Sequence, residues 1–457
     1  MLSVSVKAAS KSRTIKALFK NARDRDRIDR LLIILKGNLM KIFDNAACAA
    51  ADILIPAGSV DLTKWAVVAC DQFTSDRDYW DDVYNIVGDA PSTAKLILPE
   101  AYLEDDDKEE RLASIRANAA KYLSDGTFRT LPDSFILVDR STPVTPSRKG
   151  LVLALDLEEY NFDPNIKSRC KATEGTVLSR IPPRIRIRSN CPIELPHVML
   201  LIDDPEDKVI GAAFANAEEE GLNMIYDTLL MKDSGSISGI AVPADSSTGK
   251  GIVDGLASLC QGPEDILYLV GDGNHSLASA KAHWDNVKEG LSDEERKTHP
   301  ARFALTEVVN IHDKGLAFEP IHRIVFGISK DDLLSKAEEF FGCDGTEGDV
   351  SFVVTDGQDD KTFAIPNPPH MLAVGCLGLF LDKLCEEDPS IKVDYIHGDD
   401  EVRSLASATS AGIFLPGISK DTFFDTVRCE GVFPRKTFSM GHAFEKRFYM
   451  EARKIVL

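Results

Sequence analysis

The sequence predicts a mixed α/β fold, with mixed sheets flanked by helices, and two observations carry that expectation. Along the chain, short runs rich in β-branched and aromatic side chains alternate with segments whose apolar residues recur every three or four positions. Within that alternation, YLVGDGNHSLASAKAHWD reads as one unit. An apolar strand, Ile266–Val270, stops at a Gly-Asp-Gly-Asn-His loop, and Leu277, Ala280, Lys281 and Trp284 then recur at helical spacing, with Ser276 placed to cap the helix.

In chain order the predicted strands are Trp65–Cys70, Phe135–Val138, Leu151–Leu157, Arg184–Arg188, Val198–Ile202, Ile237–Val242, Ile266–Val270, Phe303–Asn310, Ser351–Val354, Thr362–Ile365 and Gly412–Leu415. The predicted helices are Arg77–Val87, Glu104–Ser124, Ala215–Met231, Ile252–Cys260, Ser276–Gly290, Lys330–Phe340, Met371–Glu386 and Asp399–Thr409. Two stretches rich in turn-forming residues, Ser141–Gly150 and Asp356–Pro369, read as joints. The expected organisation is a main α/β domain over 40–355, which carries the Gly-rich loop, and a C-terminal α/β portion over 356–457 packing on it.

Residues 1–39 are expected to lie outside that fold. The first 23 carry Lys, Arg and Ser and no acid, which is compatible with an organelle transit peptide; alternatively, MKIFDNAACAAADILIPAG from Met40 reads as a natural start. Nine scattered cysteines, with no C-x-x-C and no zinc spacing, read as reduced core thiols of a cytoplasmic protein. A net charge of -20 opposes binding to a nucleic-acid backbone, and no apolar run is long enough to span a bilayer, so neither partner is expected. The oligomeric state is left open.

The residues able to carry chemistry are polar interruptions of apolar structure. A strand, a tight glycine loop and a helix bring free backbone N–H groups and the positive end of a helix into one small space, which suits phosphate or carboxylate. Gly271, Gly273 and Asn274 are therefore candidate phosphate-binding residues, and the neighbouring Asp272 and His275 candidate catalytic ones; a plain strand-to-helix turn is the bland alternative. At the first turn of the helix, a neutral His275 can serve phosphate or can hold the loop by bonding the backbone.

Upstream, Thr173-Glu174-Gly175-Thr176 places two hydroxyls and the candidate catalytic acid Glu174 around a glycine. Arg180, Arg184, Arg186 and Arg188 follow, as anion ligands or as structural ion pairs. Asp71 ends an apolar strand as a ligand group or a capping acid. His322 and Arg323 interrupt another strand, as ligand groups or a buried pair. Arg435 and Lys436 near the end of the chain form a cationic lid or a solvated turn.

Together ILIPAGSVDLTKWAVVACDQFTS, ATEGTVLSRIPPR, ELPHVMLLIDDP, GDGNHSLASAKAHW, FEPIHRIVFG, DYIHGDDEV and FPRKTFSMG resemble the motifs of the domain of unknown function 1015 family, from about residue 50 onward. The GDGNH loop is more distantly similar to the signature of the ParB, sulfiredoxin and free serine kinase superfamily. That resemblance implies a ParB/sulfiredoxin-like core, a loop that contacts nucleotide phosphates, a nucleotide such as ADP or ATP with Mg2+, and serine or phosphoserine as the small phosphorylated substrate. Asn274 stands where sulfiredoxin needs a reactive Cys, which argues against sulfinic acid reduction, and Ser276 stands where other branches carry an Arg. The resemblance thus implies an enzyme transferring or hydrolysing a phosphoryl group, or a non-catalytic nucleotide- or metabolite-sensing module. It implies no metal ligand set.

Overall fold

Thirteen strands with alternating side chains build a large mixed sheet, and the two faces of that alternation select two different cores. The computed structural model describes residues 40–189, 191–260, 262, 265–434 and 436–456; the expectations for residues 1–39 and for Arg435 lie outside the described residues. The chain from Ile42 onward is one compact unit. The strands of the large sheet used below are β1 (Cys48–Pro56), β2 (Phe128–Ser141), β3 (Arg148–Asp156), β4 (Tyr160–Asn161), β5 (Cys170–Ala172), β6 (Ile193–Glu194), β7 (Met199–Ile202), β8 (Met224–Leu229), β9 (Ser236–Pro243), β10 (Tyr268–Asp272) and β11 (Phe303–Asn310). Its main path is β4-β5-β10-β7-β11-β3-β1-β2-β9-β8.

Along β7, β10 and β11, Leu200, Ile202, Val270 and Val308 face one core, which is closed by α4 (Ile210–Glu220), α5 (Ser247–Ser258) and α6 (Asn274–Lys288). The intervening Met199, Leu201, Leu269 and Val309 face a second core, made with Phe423, Phe424 and Val427 and with Phe433, Phe438 and Met440. Three earlier helices are α1 (Arg77–Val87), α2 (Lys108–Ser124) and α3 (Ile181–Ser189). The strands β7, β10 and β11 therefore have apolar side chains on both faces and read as continuous apolar runs.

A second sheet has the order β14-β13-β16-β12-β15, from β12 (Glu319–Phe326), β13 (Val350–Thr355), β14 (Asp360–Ile365), β15 (Lys392–His397) and β16 (Ser410–Phe414), with β17 (Phe438–Ser439) pairing β12. α7 (Lys330–Phe341) and α8 (Ala373–Glu387) cover it; α9 (Asp399–Leu405) and α10 (Lys420–Glu430) complete the helices used below. The 355/356 boundary expected from the sequence falls inside the β13–β14 hairpin, where Thr355 pairs with Asp360. The second sheet begins at Glu319, and the last strand, β18 (Ala452–Lys454), returns to the large sheet between β1 and β6.

Three local expectations are corrected. Arg184–Arg188 is helix, because Pro182 and Pro183 fall in the first turn of α3, where a missing N–H costs no hydrogen bond. Arg186 and Arg188 then point to different neighbours, Glu109 and Glu194. Ala215–Met231 divides at Gly221, which caps α4 at φ 69° and releases the chain into β8. Trp65–Cys70 is not a strand; Leu62–Trp65 forms a helical turn, and Val68 makes only an isolated bridge to Phe448.

All nine cysteines are free thiols, with Cys48, Cys170, Cys191 and Cys376 buried. Beneath the large sheet lies a cluster of buried charge. Arg447 pairs with Glu307 of β11 and with Glu451, and Tyr226 of β8 bonds Glu451. Removing the arginine strands both carboxylates away from water, so Arg447→Met should lower unfolding free energy by about 3–5 kcal/mol, read as a fall in the urea midpoint at unchanged slope.

Candidate functional site

β5 and β10 pair in parallel, Tyr268 opposite Cys170 and Val270 opposite Ala172, so both strands leave the sheet at the same end. One continues into Thr173-Glu174-Gly175-Thr176 and the other into Gly271-Asp272-Gly273. Two hydrogen bonds stitch the loops together: the Thr173 hydroxyl donates to the Val270 carbonyl at 2.6 Å, and the Val177 N–H donates to His275 Nε2 at 3.2 Å. A ring nitrogen that accepts cannot carry a proton, so this bond holds His275 neutral with its proton on Nδ1.

Gly273 precedes α6 at φ 80°, and a Cβ there would lie 3.1 Å from Val198 Cα. At Gly271 a Cβ would meet Met440 Cε at 2.8 Å. The helix begins at Asn274 with no side-chain cap, which corrects the expectation for Ser276: that residue lies inside the first turn, and Gly273 holds the cap position in a left-handed conformation that a β-carbon disfavours. The first N–H groups of α6 thus have no intrahelical acceptor. Beside them, Thr176 Oγ1 and Asn274 Oδ1 are buried with no hydrogen-bond partner among the described residues. A cavity of about 280 Å³ reaches the second loop at Gly175 and is otherwise lined by His370, Thr426, Glu430, Phe433 and Pro434 among others.

Asp272 is the charged centre of the site. Its Oδ2 lies 3.1 Å from Lys446 Nζ and its Oδ1 accepts the Gly273 N–H at 2.9 Å. Burial alone would raise its pKa; the Lys446 ammonium, with help from His197 and the Gly273 N–H, outweighs that and holds the carboxyl below the usual range. His197 leads into β7 and packs beside Gly273. The Tyr449 hydroxyl accepts the Cys70 N–H at 3.1 Å and is hydrogen-bonded to His197 Nδ1 at 2.8 Å, which turns Nε2 toward Asp71 Oδ2 at 3.9 Å. Burial pushes the Tyr449 phenol well above its ordinary pKa, so it keeps its proton.

The fold thus gathers Glu174, Gly271, Asp272, Gly273, Asn274 and His275 at one end of the sheet, with Asp71 at the margin through His197. Arg184 reaches the same margin by its ion pair with Glu100, whose N–H donates to the Cys70 carbonyl at 2.8 Å. Arg180 is exposed, and its carbonyl accepts from Arg184.

His322, Arg323 and Lys436 form a separate group at the second sheet. His322 bonds Asp399 at 2.8 Å through Nε2 and accepts the Leu415 N–H at Nδ1, and its pKa is lowered by burial. Arg323, pushed down to about 10 by burial, donates to the carbonyl of Lys436 at 3.0 Å, and the Lys436 side chain is exposed. No hydrogen bond or ion pair among the described residues joins this group to Asp272. His197, Lys446 and Tyr449 were not singled out by sequence reasoning; the available signal was charge set among aromatic residues in AFEKRFYME and the histidine of ELPHVMLLIDDP. Among the described residues no group of three His, Cys, Asp or Glu side chains is placed to hold a metal ion, and no helix is long and apolar enough to cross a membrane.

Residues 54–386 match the profile of the protein of unknown function family DUF1015. The chain belongs to that family. Comparison with curated proteins gives no match. Among solved structures, this DUF1015 chain is similar to a free serine kinase in complex with AMP, at 13% identity and TM-score 0.34 over 66% of this chain and 92% of that one. It is similar also to a conserved hypothetical protein from Pyrococcus furiosus (13%, TM-score 0.33, 66% and 95%) and to SbnI with a C-terminal truncation from Staphylococcus aureus (10%, TM-score 0.32, 64% and 83%).

Two outcomes follow from this geometry. Asp272 has a folded-state pKa below its unfolded one, so its contribution to stability is present above the ordinary carboxylate pKa and disappears as pH falls through the lowered value. Asp272→Asn should therefore flatten the acid limb of the stability profile, below about pH 4, in urea titrations run at stepped pH. Gly273→Ala forces a β-carbon into the left-handed region and should cost about 1–2 kcal/mol, seen as a lower melting temperature.

Proposed function

We propose that this chain binds a phosphorylated ligand or nucleotide at the Gly271–His275 loop and transfers or hydrolyses a phosphoryl group on a small hydroxy amino acid. The observation that supports the reading is the pairing of two glycine loops at the ends of parallel strands, with the uncapped start of α6 between them. Beside it the buried Thr176 Oγ1, with no hydrogen-bond partner among the described residues, can donate to a phosphate oxygen, and the likewise unpartnered Asn274 Oδ1, an acceptor, suits a donor group of the ligand or a cation that accompanies it. Phosphoryl transfer asks little covalent chemistry of a protein; it needs positioned donors, charge stabilisation and an oriented hydroxyl.

ADP or ATP with Mg2+ would supply the phosphoryl group when bound, held by Gly273, Asn274 and Thr176. Asp272, kept ionised, orients the substrate hydroxyl or a water. Glu174, on the adjoining loop, is the second acid. His275 is a positioning residue, because its Nε2 is occupied in fixing the two loops. The cavity beside Gly175 has the size for an amino acid of the serine or phosphoserine class. Arg184 and Asp71 stand at the margin of this site, whereas His322, Arg323 and Lys436 form a separate group and, with Arg180 and Arg435, enter the substrate-binding proposal on the sequence alone. The reduced thiols suit a cytoplasmic setting.

A second reading, a nucleotide- or metabolite-sensing module, is favoured by one observation: Asp272 is ion-paired and His275 is already an acceptor, which leaves no unengaged base on the loop.

Calorimetric titration with ADP, ATP and phosphoserine, each with and without Mg2+, followed by phosphorus NMR of the incubated mixtures, separates the readings. The enzyme reading expects micromolar to millimolar binding and new phosphorus resonances that vanish in Asp272→Asn. Binding without turnover supports the sensor, and absence of binding to all three removes both.

A further inference from the structure

The segment 440–454 crosses from the second sheet back to the first, and buried groups grip it along its length. Arg140 donates to the carbonyl of Phe444 at 2.8 Å and Arg148 to that of Glu445 at 3.2 Å. The Trp65 indole donates to the carbonyl of Met450 at 3.0 Å. Arg447 and Glu451 sink into the charge cluster around Glu307, and Arg453 pairs with Glu194 at 2.6 Å as β18 enters the sheet. Arg140 and Arg453 are among the largest fully buried side chains of the molecule, and Arg148 and Arg447 are buried too. A backbone held this firmly has little freedom in where it sends the side chains between the grips.

Two of those side chains go to the Gly-rich loop. Tyr449 fixes His197, and Lys446 places its ammonium 3.1 Å from Asp272 Oδ2. Among the described residues, Lys446 is the cation ion-paired with the loop carboxylate. Arg184 is taken by Glu100, Arg447 by Glu307 and Glu451, and Arg323 by backbone carbonyls. An ammonium has three donors, and the bond to Asp272 uses one. An anion brought to the start of α6 also meets the negative charge of Asp272, which repels it unless a cation stands between.

We infer that the C-terminal segment 440–454 is a rigid part of the binding site, and that Lys446 is its anion-reading residue, donating to a phosphate oxygen of the ligand while still paired with Asp272. This rests on the phosphate reading of the loop.

The test uses the full chain and three variants, Lys446→Met, Lys446→Gln and Lys446→Arg, with inorganic phosphate and phosphoserine as probes in calorimetry and melting temperature recorded for each. Lys446→Met and Lys446→Gln should weaken phosphoserine binding about tenfold or more, the loss of one charge-assisted hydrogen bond. Lys446→Arg should restore most of that affinity, a rescue that a merely structural role would not give, and it remains informative if the neutral variants melt early. Affinity for both probes equal to wild type in folded Lys446→Met or Lys446→Gln overturns the inference and leaves the phosphate reading standing. Failure of the wild-type chain to bind either probe overturns the phosphate reading and this inference with it.

Discussion

Three residues of parallel pairing, Cys170–Ala172 against Tyr268–Val270, hold the candidate site together. An antiparallel pair would send one loop to each end of the sheet; the parallel pair sends both to one end. From that constraint follow the bond from Thr173 to Val270, the reach of Val177 to His275, and the common space over the start of α6. β10 is itself fixed on its other edge by antiparallel β7, whose leading residues His197 and Val198 close against Gly273. The glycines at 271 and 273 are then required by what lies against them, Met440 and Val198, as much as by the turn.

The charge distribution has a corresponding logic. The chain carries a net charge of -20, yet several of its arginines are buried, each facing carboxylates or backbone carbonyls at fixed distance. Buried ion pairs add little net stability relative to apolar packing, but they punish misplacement, because a displaced member leaves its partner uncompensated. Here they sit where geometry matters, under the segment that delivers Lys446 and Tyr449. The acidic exterior and the cationic anchors are therefore two separate design elements.

What could be read from sequence was local. The strand, loop and helix at Tyr268–Asp285 were legible because the apolar run, the glycines and the helical spacing all lie within one short window. Phe303–Asn310 and Arg77–Val87 were legible for the same reason. IPPRIRIRS was misread because its Arg/Ile alternation has the period of a strand, while the two prolines ahead of it start a helix. Ala215–Met231 was misread because apolar spacing continued past Gly221, where backbone conformation changes without a change in pattern. His197 and Lys446 stayed hidden for a different reason: His197 acquires its meaning from packing beside Gly273, about 75 positions away, and Lys446 from its ion pair with Asp272, about 175 positions away, and no window of sequence contains both.

That β18 pairs with β1 has a consequence for the order in which the molecule is made. Residues 452–454 meet a strand that left the ribosome about 400 residues earlier, so synthesis at about 5–20 residues per second leaves the large sheet without this strand for some tens of seconds. During that interval β1 and β6 lack the strand that later lies between them, and Glu194, Glu307 and Asp272 have no cation from the last segment. Until residues 446–454 are made, the nascent chain carries Glu307 without Arg447 and Asp272 without Lys446, while Glu194 has Arg188 alone. The arrival of Lys446, Arg447 and Arg453 then completes those ion pairs as β18 enters the sheet.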